Sequence, residues 1–408
     1  MSYFDFHLVD GGDMKYTGIN SNDVKSENRS KIIRLLNDKG DMARKDIATQ
    51  LGLTAAAVTQ ISNELLEMGI LRENGEMEEE AHVGRKKIRI GLDDDFTKIL
   101  GICIERNVTV VSVNNMRGKC LLKKTLVTDT ELPPEIFLEK IIDTAYELMD
   151  SLSLTPDDIL GAGVSVPGNV SSDKQRDDYI PSIWNAPVPV RRKLERGLRI
   201  PVVVDNNVNA FAIAELIYGA GREKGNFVFV KWGPGLGSAI AINNKVYGNQ
   251  DGRIPELGHI VVDDKGSTLE SMISLKTITE KLREKFSETE TPELWEALEG
   301  DREKITVKTV SVWGGIHDPG LEKILYEVMG KLACALYNAS MVLPPDKIIY
   351  YGGLFELPYI KENFKKIFLD RYHVEDTDFI NKSTLGDFED SIGTVAIVFN
   401  EKILKLKV

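Results

Sequence analysis

Amides, carboxylates and imidazoles recognise ligands through hydrogen bonds, and Asn206, Asn207, Glu256, His259 and Glu270 are side chains of these kinds. A compound with paired hydroxyls both donates and accepts hydrogen bonds, and a cleft that converges groups of these kinds can meet it. Gly168, behind the run Ser165-Val166-Pro167, would let the backbone approach closely, and Trp184-Asn185 would add an apolar wall and a rim amide. Taken singly, each has a plainer reading. Asn206 and Asn207 serve as turn formers after a strand, Glu256 as a helix cap and His259 as a satisfied core residue.

A second polar set lies near the N-terminus, and the elements around it say what it is for. Ile32, Ile33, Leu35 and Leu36 recur at helical spacing up to Lys39-Gly40, and Ala43 to Leu51 places Ile47, Ala48 and Leu51 on one face before Gly52. A glycine there allows the sharp turn of a helix-turn-helix. Thr54 offers an N-cap oxygen to a third helix, Ala55 to Met68, with Val58, Ile61, Leu65 and Leu66 inward. After Gly69-Ile70-Leu71-Arg72 and an acidic loop, Gly84 to Ile90 alternates as a strand, so two strands form a wing. In such a head the third helix enters the major groove, and Thr54, Ala55, Ala56, Thr59 and Gln60 reach base edges. Arg44, Lys45, Arg85 and Lys86 would meet phosphates or the minor groove. Three short helices alone could equally form a cap or a protein-binding bundle; the wing argues against that. Glu76, Glu78, Glu79 and Glu80 would oppose phosphate, so the loop tip is expected to point away from DNA.

With 408 residues the chain exceeds one core and predicts two or three units. The net charge of -12 excludes indiscriminate nucleic-acid coating, yet residues 28–92 carry 11 Lys and Arg against 10 Asp and Glu, so the acidic excess lies downstream. Cys103, Cys120 and Cys334 are too scattered for a disulfide framework or metal knuckle and read as small buried apolar residues. No apolar run approaches the length of a membrane span and no secretory signal opens the chain, so a cytoplasmic location is expected.

Downstream, Ile99 to Val113 reads as a β-hairpin, Pro134 to Ser151 as a helix, and Ile159 to Val166 as a strand. Strand and helix alternate again in Pro201 to Val204 and Ala210 to Tyr218, which indicates α/β layering.

On these residues the chain resembles the ROK family, which groups sugar kinases with repressors bearing an added helix-turn-helix. The resemblance rests on Ser165 to Gly168, Asp205 to Ala210 with Glu215, Gly233 to Gly237, Glu256 to His259, and Gly352-Gly353. In the head it rests on Asp46-Ile47-Ala48, Leu51-Gly52-Leu53, Val58-Thr59, Leu65-Leu66 with Gly69-Ile70, and Gly84-Arg85-Lys86. It implies a winged helix-turn-helix (α+β) followed by a two-lobed, actin-like, ribonuclease H-like α/β domain. It also implies a sugar effector contacting Gly168, Asn206, Asn207, Glu256, His259 and Glu270.

Against the family's kinases, three parts look damaged. Where they carry Asp-x-Gly-Gly-Thr this chain has Cys103-Ile104-Glu105-Arg106-Asn107, with a carboxylate where phosphate would sit. Their catalytic Asp is Asn207 here, an amide that cannot take a proton near neutral pH. Their second phosphate loop reads Gly233-Pro234-Gly235, which removes a hydroxyl and a backbone donor. The family's zinc loop of cysteines is replaced by Asp263-Asp264-Lys265-Gly266, so neither metal nor other cofactor is expected.

The expected division is a tail over 1–27, the head over 28–92, and the kinase-like domain over 93–408. Lobe one would span about 93–205 with a C-terminal helix at about 390–408, and lobe two about 206–389. The insert from Ser287 to Thr309, with Trp295 and Leu298 on a possible helix, reads as lobe elaboration. The expected function is a non-enzymatic, sugar-responsive repressor of carbohydrate genes. Its expected partners are a double-stranded operator and a second copy of itself, as a dimer or dimer of dimers, and no membrane. The alternatives are an active sugar kinase with a regulatory head and a repressor without a sugar effector.

Overall fold

The computed structural model describes residues 21–76, 88–168, 170, 178–180, 183–184, 187–248, 254–385 and 391–406. The head opens with α1 (Ser21–Lys39), followed by β1 (Met42–Ala43), α2 (Arg44–Leu51), α3 (Ala55–Glu67), β2 (Leu71–Glu76) and β3 (Ile88–Leu92). Its sheet has the order β1-β3-β2, all antiparallel. Gly52 takes φ 63 at the end of α2, the left-handed conformation that lets α3 follow at an angle. Thr54 caps α3 by accepting from the Ala57 amide, and Val58, Ile61 and Leu65 are buried beneath it. The helix α1 begins inside the span expected to be a tail. Lys25 meets Glu64 at 2.6 Å, and the buried Arg29 reaches the same carboxylate at 3.4 Å, so two cations tie that first part of α1 to α3.

Lobe one comprises β4 (Lys98–Ile104), β5 (Val108–Asn115), β6 (Cys120–Val127), α4 (Pro134–Ser151), β7 (Ile159–Val166), β8 (Asp178–Tyr179), β9 (Pro187–Val188), α5 (Val190–Leu198) and β10 (Val202–Asn206). The next strands and helices are α6 (Asn207–Ile217), β11 (Phe227–Trp232), β12 (Leu236–Ile242), β13 (Lys245–Val246), α7 (Leu269–Ile273), α8 (Leu275–Lys285), α9 (Pro292–Ala297) and α10 (Val310–Trp313). Then come α11 (Pro319–Val342), β14 (Lys347–Tyr351), α12 (Pro358–Tyr372), β15 (Ile380–Lys382) and α13 (Ile392–Phe399), which runs on as a π-helical turn over Asn400–Leu404.

The two large sheets have the orders β10-β7-β4-β5-β6 and β15-β14-β11-β12-β13. Each is an antiparallel three-stranded meander extended by two parallel strands on its first member. This is the two-lobed architecture expected. The helices α6 and α13 lie together between the sheets, and the apolar core of the head (Ile32, Ile33, Leu36, Ile47) continues without a break into theirs.

Of the three cysteines only Cys103 is buried; Cys120 is half-exposed and Cys334 is exposed. On α11 the inward positions are Leu332, Ala333 and Leu336, which leaves Cys334 on the outer face. The insert forms the short α9, with Leu294 buried and Trp295 against Phe286.

Candidate ligand cleft and nucleic-acid interface

The turn from β10 into α6 carries the paired asparagines because a helix start needs an N-cap acceptor. Asn206 is that cap: its Oδ1 accepts from the amides of Val208 (2.8 Å) and Asn209 (3.4 Å), while its Nδ2 donates to the Gly168 carbonyl at 2.8 Å. Gly168 takes φ 115, a left-handed conformation that favours glycine. The turn-former reading of Asn206 thus holds, and the structure brings Gly168 and Asn206 together.

Asn207 is buried and donates through Nδ2 to Glu105 Oε1 at 2.8 Å. Glu105, just beyond β4, also accepts from Lys231 Nζ at 3.1 Å, and Lys231 lies on β11 in the facing lobe. Its ammonium stands 5.6 Å from the centre of the Phe211 ring on α6. A cross-lobe ion pair therefore joins the turn of the first hairpin to the strand that leads into the second. Sequence reasoning found Glu105 but missed its partner. The available signal was a lone charge in the otherwise apolar strand Phe227–Trp232.

The remaining cleft residues sit beside the second hairpin. Ser238 on β12 donates to the Pro255 carbonyl (2.9 Å) and accepts from the Leu257 amide (2.8 Å), which pins the segment bearing Glu256. A single helical turn, Leu257–His259, brings His259 Nδ1 back onto the Glu256 carboxylate, and His259 Nε2 lies 4.0 Å from Glu270 Oε2. Glu270 Oε1 in turn accepts from the Leu236 amide at 2.9 Å. A Cβ at Gly235 would fall 2.3 Å from that oxygen, so a side chain there would displace the Glu270 carboxylate. His259 is exposed, so its core reading fails; Glu256 stands at the N-cap of that turn, but its side chain makes no cap hydrogen bond there.

One expectation at the rim changes. Trp184 is buried against Phe137 with ring centroids 6.0 Å apart and belongs to the core of lobe one; Asn185 lies outside the described residues. Glu215 is fully buried near the other end of α6, where it accepts from the Ala220 amide at 2.7 Å and from the Ser383 hydroxyl. The bond from the Ala220 amide closes the turn after α6, and burial pushes the Glu215 carboxyl up from its ordinary value.

The zinc loop of the resembled family does not fit this chain. Asp263 Oδ1 accepts from the amides of Lys265 and Ser267, both at 2.9 Å, and Val261 bridges Thr268, which closes the segment as a tight turn without a thiol ligand.

On the head, Thr54, Ala55, Ala56, Thr59 and Gln60 are all exposed along the first turns of α3. Thr59 Oγ1 donates to the Ala55 carbonyl (2.8 Å) and Gln60 Nε2 to Glu64 (3.3 Å). Lys45 is exposed, whereas Arg44 is half-buried and reaches Glu73 at 3.2 Å and Asn63 at 3.4 Å. Arg85 and Lys86, with the glutamates at 78–80, lie outside the described residues.

The ROK family pattern matches residues 99–401, and a winged helix-turn-helix DNA-binding pattern matches residues 25–72. The chain belongs to the ROK family. Among curated proteins it is 23% identical over 399 residues to the xylose repressor of Caldicellulosiruptor bescii, covering 93% of this chain and 97% of that one. It is 26% identical over 291 residues to a glucokinase of Halalkalibacterium halodurans, covering 68% of this chain and 87% of that one. Among solved structures it resembles a ROK family transcriptional regulator described as a homologue of the Escherichia coli MLC protein. That match has a TM-score of 0.73 at 19% identity and covers 94% and 98% of the two chains. A Streptomyces griseus ROK glucokinase with glucose and AMPPNP matches at a TM-score of 0.57 and 23% identity, over 73% of this chain and 98% of that one. The fold is therefore a winged helix-turn-helix joined to a ROK sugar-kinase-like domain, and among the described residues no helix is long and apolar enough to cross a membrane.

Proposed function

We propose that this chain is a transcriptional repressor of carbohydrate-utilisation genes whose operator affinity is changed by a sugar held between its lobes, and that it transfers no phosphoryl group. The observation that carries the proposal is the exposed first turns of α3, on a winged head built onto a ROK body. Thr54, Ala55, Ala56, Thr59 and Gln60 would read base edges, and Lys45, Arg44, Arg85 and Lys86 would position the head on phosphates. Arg44 must first leave Glu73 to do so.

The sugar would lie over Gly168, Asn206, Asn207, Glu256, His259 and Glu270, whose amides, carboxylates and imidazole match paired hydroxyls. Phosphoryl transfer needs a base and room for phosphate. Asn207 offers no base, and the Glu105 carboxylate, already paired with Lys231, repels the anion. The division that goes with this reading is a head ending at Leu92 and two lobes that meet at α6. A symmetric dimer, or dimer of dimers, working in the cytoplasm would supply two heads whose spacing matches two half-sites.

The test is thermal unfolding of the full chain against pentoses, hexoses, amino sugars and their phosphates, with and without ATP and magnesium. It is paired with selection of bound sequences from a random duplex pool. One sugar should raise the melting temperature selectively, and that sugar should change affinity for the selected duplex. Stabilisation by ATP, or turnover, would overturn the non-enzymatic part, and absence of any enriched duplex would overturn the repressor.

A further inference from the structure

Helix α6 is held at both ends by units other than its own. At its first turn, Asn206 and Asn207 fix it to lobe one through the Gly168 carbonyl and Glu105. At its last turn, where helix carbonyls have no intrahelical partner, the acceptors are served from the head. Asn37 Nδ2 donates to the Ile217 carbonyl at 2.6 Å, and Arg34 Nη1 reaches the Leu216 carbonyl at 3.4 Å. A guanidinium at this end also faces the negative pole of the helix dipole.

These contacts are enclosed. Asn37 is buried on α1, and its own carbonyl accepts from Arg117 Nη1 at 3.2 Å, while its neighbour Asp38 meets Arg222 at 3.3 Å. A cavity of only about 40 Å³ lies beside Arg34, Asn37, Leu216 and Ile217. The last turn of α6 cannot move relative to α1 without leaving buried donors and acceptors unmatched, so the two elements have few joint arrangements.

We infer that Arg34 and Asn37 are the positioning residues through which the cleft sets the orientation of the DNA-binding head, with α6 as the rigid link between them. The inference rests on the sugar-responsive reading above. A ligand that rearranges the first turn of α6 moves a rod of 11 residues, about 16 Å long, whose far end is bonded to α1. By reciprocity, holding α1 against DNA biases the cleft.

The experiment is a two-by-two cycle on the full chain, read by hydrogen exchange of the α1 and α6 amides. Lys231→Met opens the cross-lobe ion pair without touching the head; Asn37→Leu breaks the link without touching the cleft. Lys231→Met alone should change α1 protection severalfold, and that change should vanish in the Asn37→Leu background. A merely structural Asn37 would lower protection by itself and leave the Lys231→Met effect intact, which overturns the inference. So does an α1 that never responds to Lys231→Met. Asn37→Ser and Arg34→Met repeat the cycle if the leucine variant does not fold. A second arm adds D-xylose and N-acetylglucosamine as probes. Where either shifts affinity of the parent for its selected duplex, the Asn37 variants should still be stabilised by the sugar but show less than about a twofold shift, against the roughly 5- to 150-fold of typical couplings. If no sugar binds the parent, the effector reading fails while the exchange cycle still decides the link.

Discussion

The two large sheets share one strand order, yet the helices between them meet them in opposite ways. Against lobe one, α13 lies backbone to backbone: a Cβ at Gly163 on β7 would stand 1.8 Å from the Thr394 carbonyl oxygen, and one at Gly101 on β4 2.4 Å from the Thr394 hydroxyl. Against the other sheet, α6 lies on rings, with Phe211 6.4 Å from Phe229 and 5.0 Å from Tyr351. Backbone contact has no rotamer with which to adjust, whereas stacked rings tolerate small slides. The comparison places the rigid seam between α13 and lobe one and the adjustable one between α6 and the second sheet. The helix α6 starts at the cleft asparagines and ends on the head, which is also tied to the turn beyond α13 by Arg29 donating to the Leu406 carbonyl at 2.9 Å.

The largest expected effect tests the rigid seam. Gly163→Ala should destabilise by about 3 kcal/mol or more, the upper range for overpacking, because the clashing atom is main chain and cannot swing away. Phe229→Leu, at the ring seam, should cost about 1.5 kcal/mol at most. Denaturant midpoints of both variants check this, and equal costs would remove the distinction between the seams.

Next in size is the start of α6. Asn206→Ala removes the cap and the bond to Gly168 together and should cost about 1 to 2 kcal/mol. Asn206→Asp keeps a capping acceptor but offers no donor to the Gly168 carbonyl, so it separates the two roles. Its stability should stay within about 0.5 kcal/mol of the parent if the cap dominates. On the proposed function, its sugar-induced rise in melting temperature should shrink, because Gly168 is no longer held. An unchanged rise would detach Gly168 from the ligand cleft.

A smaller effect belongs to the head. Thr54→Ala leaves the Ala57 amide without its cap and should cost about 1 kcal/mol. Loss of duplex affinity beyond that expected from the unfolded fraction would mark Thr54 as a base or phosphate contact; loss matching the unfolded fraction would leave it only a cap.

Much of this was legible in the sequence because the signals were local. Helical spacing in Val58, Ile61 and Leu65, a glycine at position 52, and a threonine before an apolar run fix the head without knowledge of its surroundings. The β-branched runs around Glu105 and before Pro167 likewise mark the three middle strands of the first sheet, whereas β6 was not read. What could not be read was anything decided by two distant segments. The start of α1 at Ser21 depends on Lys25 and Arg29 finding Glu64, and the burial of Trp184 depends on Phe137. The ion pair of Glu105 with Lys231 joins residues 126 positions apart and has no periodic signature. The link from Asn37 to Ile217 is of the same kind, an amide on one unit serving a carbonyl on another.

A pH-dependent effect concerns the residue just ahead of the cleft asparagines. Asp205 sits half-buried at the end of β10, and loss of hydration is the main cause that pushes its carboxyl from 3.8 up to about 6, against hydrogen bonds from Asn209 and the Asn206 amide. The folded chain then holds a proton that the unfolded chain has already released. Stability should therefore fall as the pH rises from about 4 to about 6 and level off above that for this group. Asp205→Asn keeps an acceptor of the same shape for both donors, at 2.7 Å and 3.2 Å, and removes the titration. Its melting temperature should be flatter than the parent's across that window and slightly higher near neutral pH. A variant that tracks the parent point for point would show that β10 meets α6 through a solvated carboxylate, and the adjustable side of α6 would then extend to its first turn.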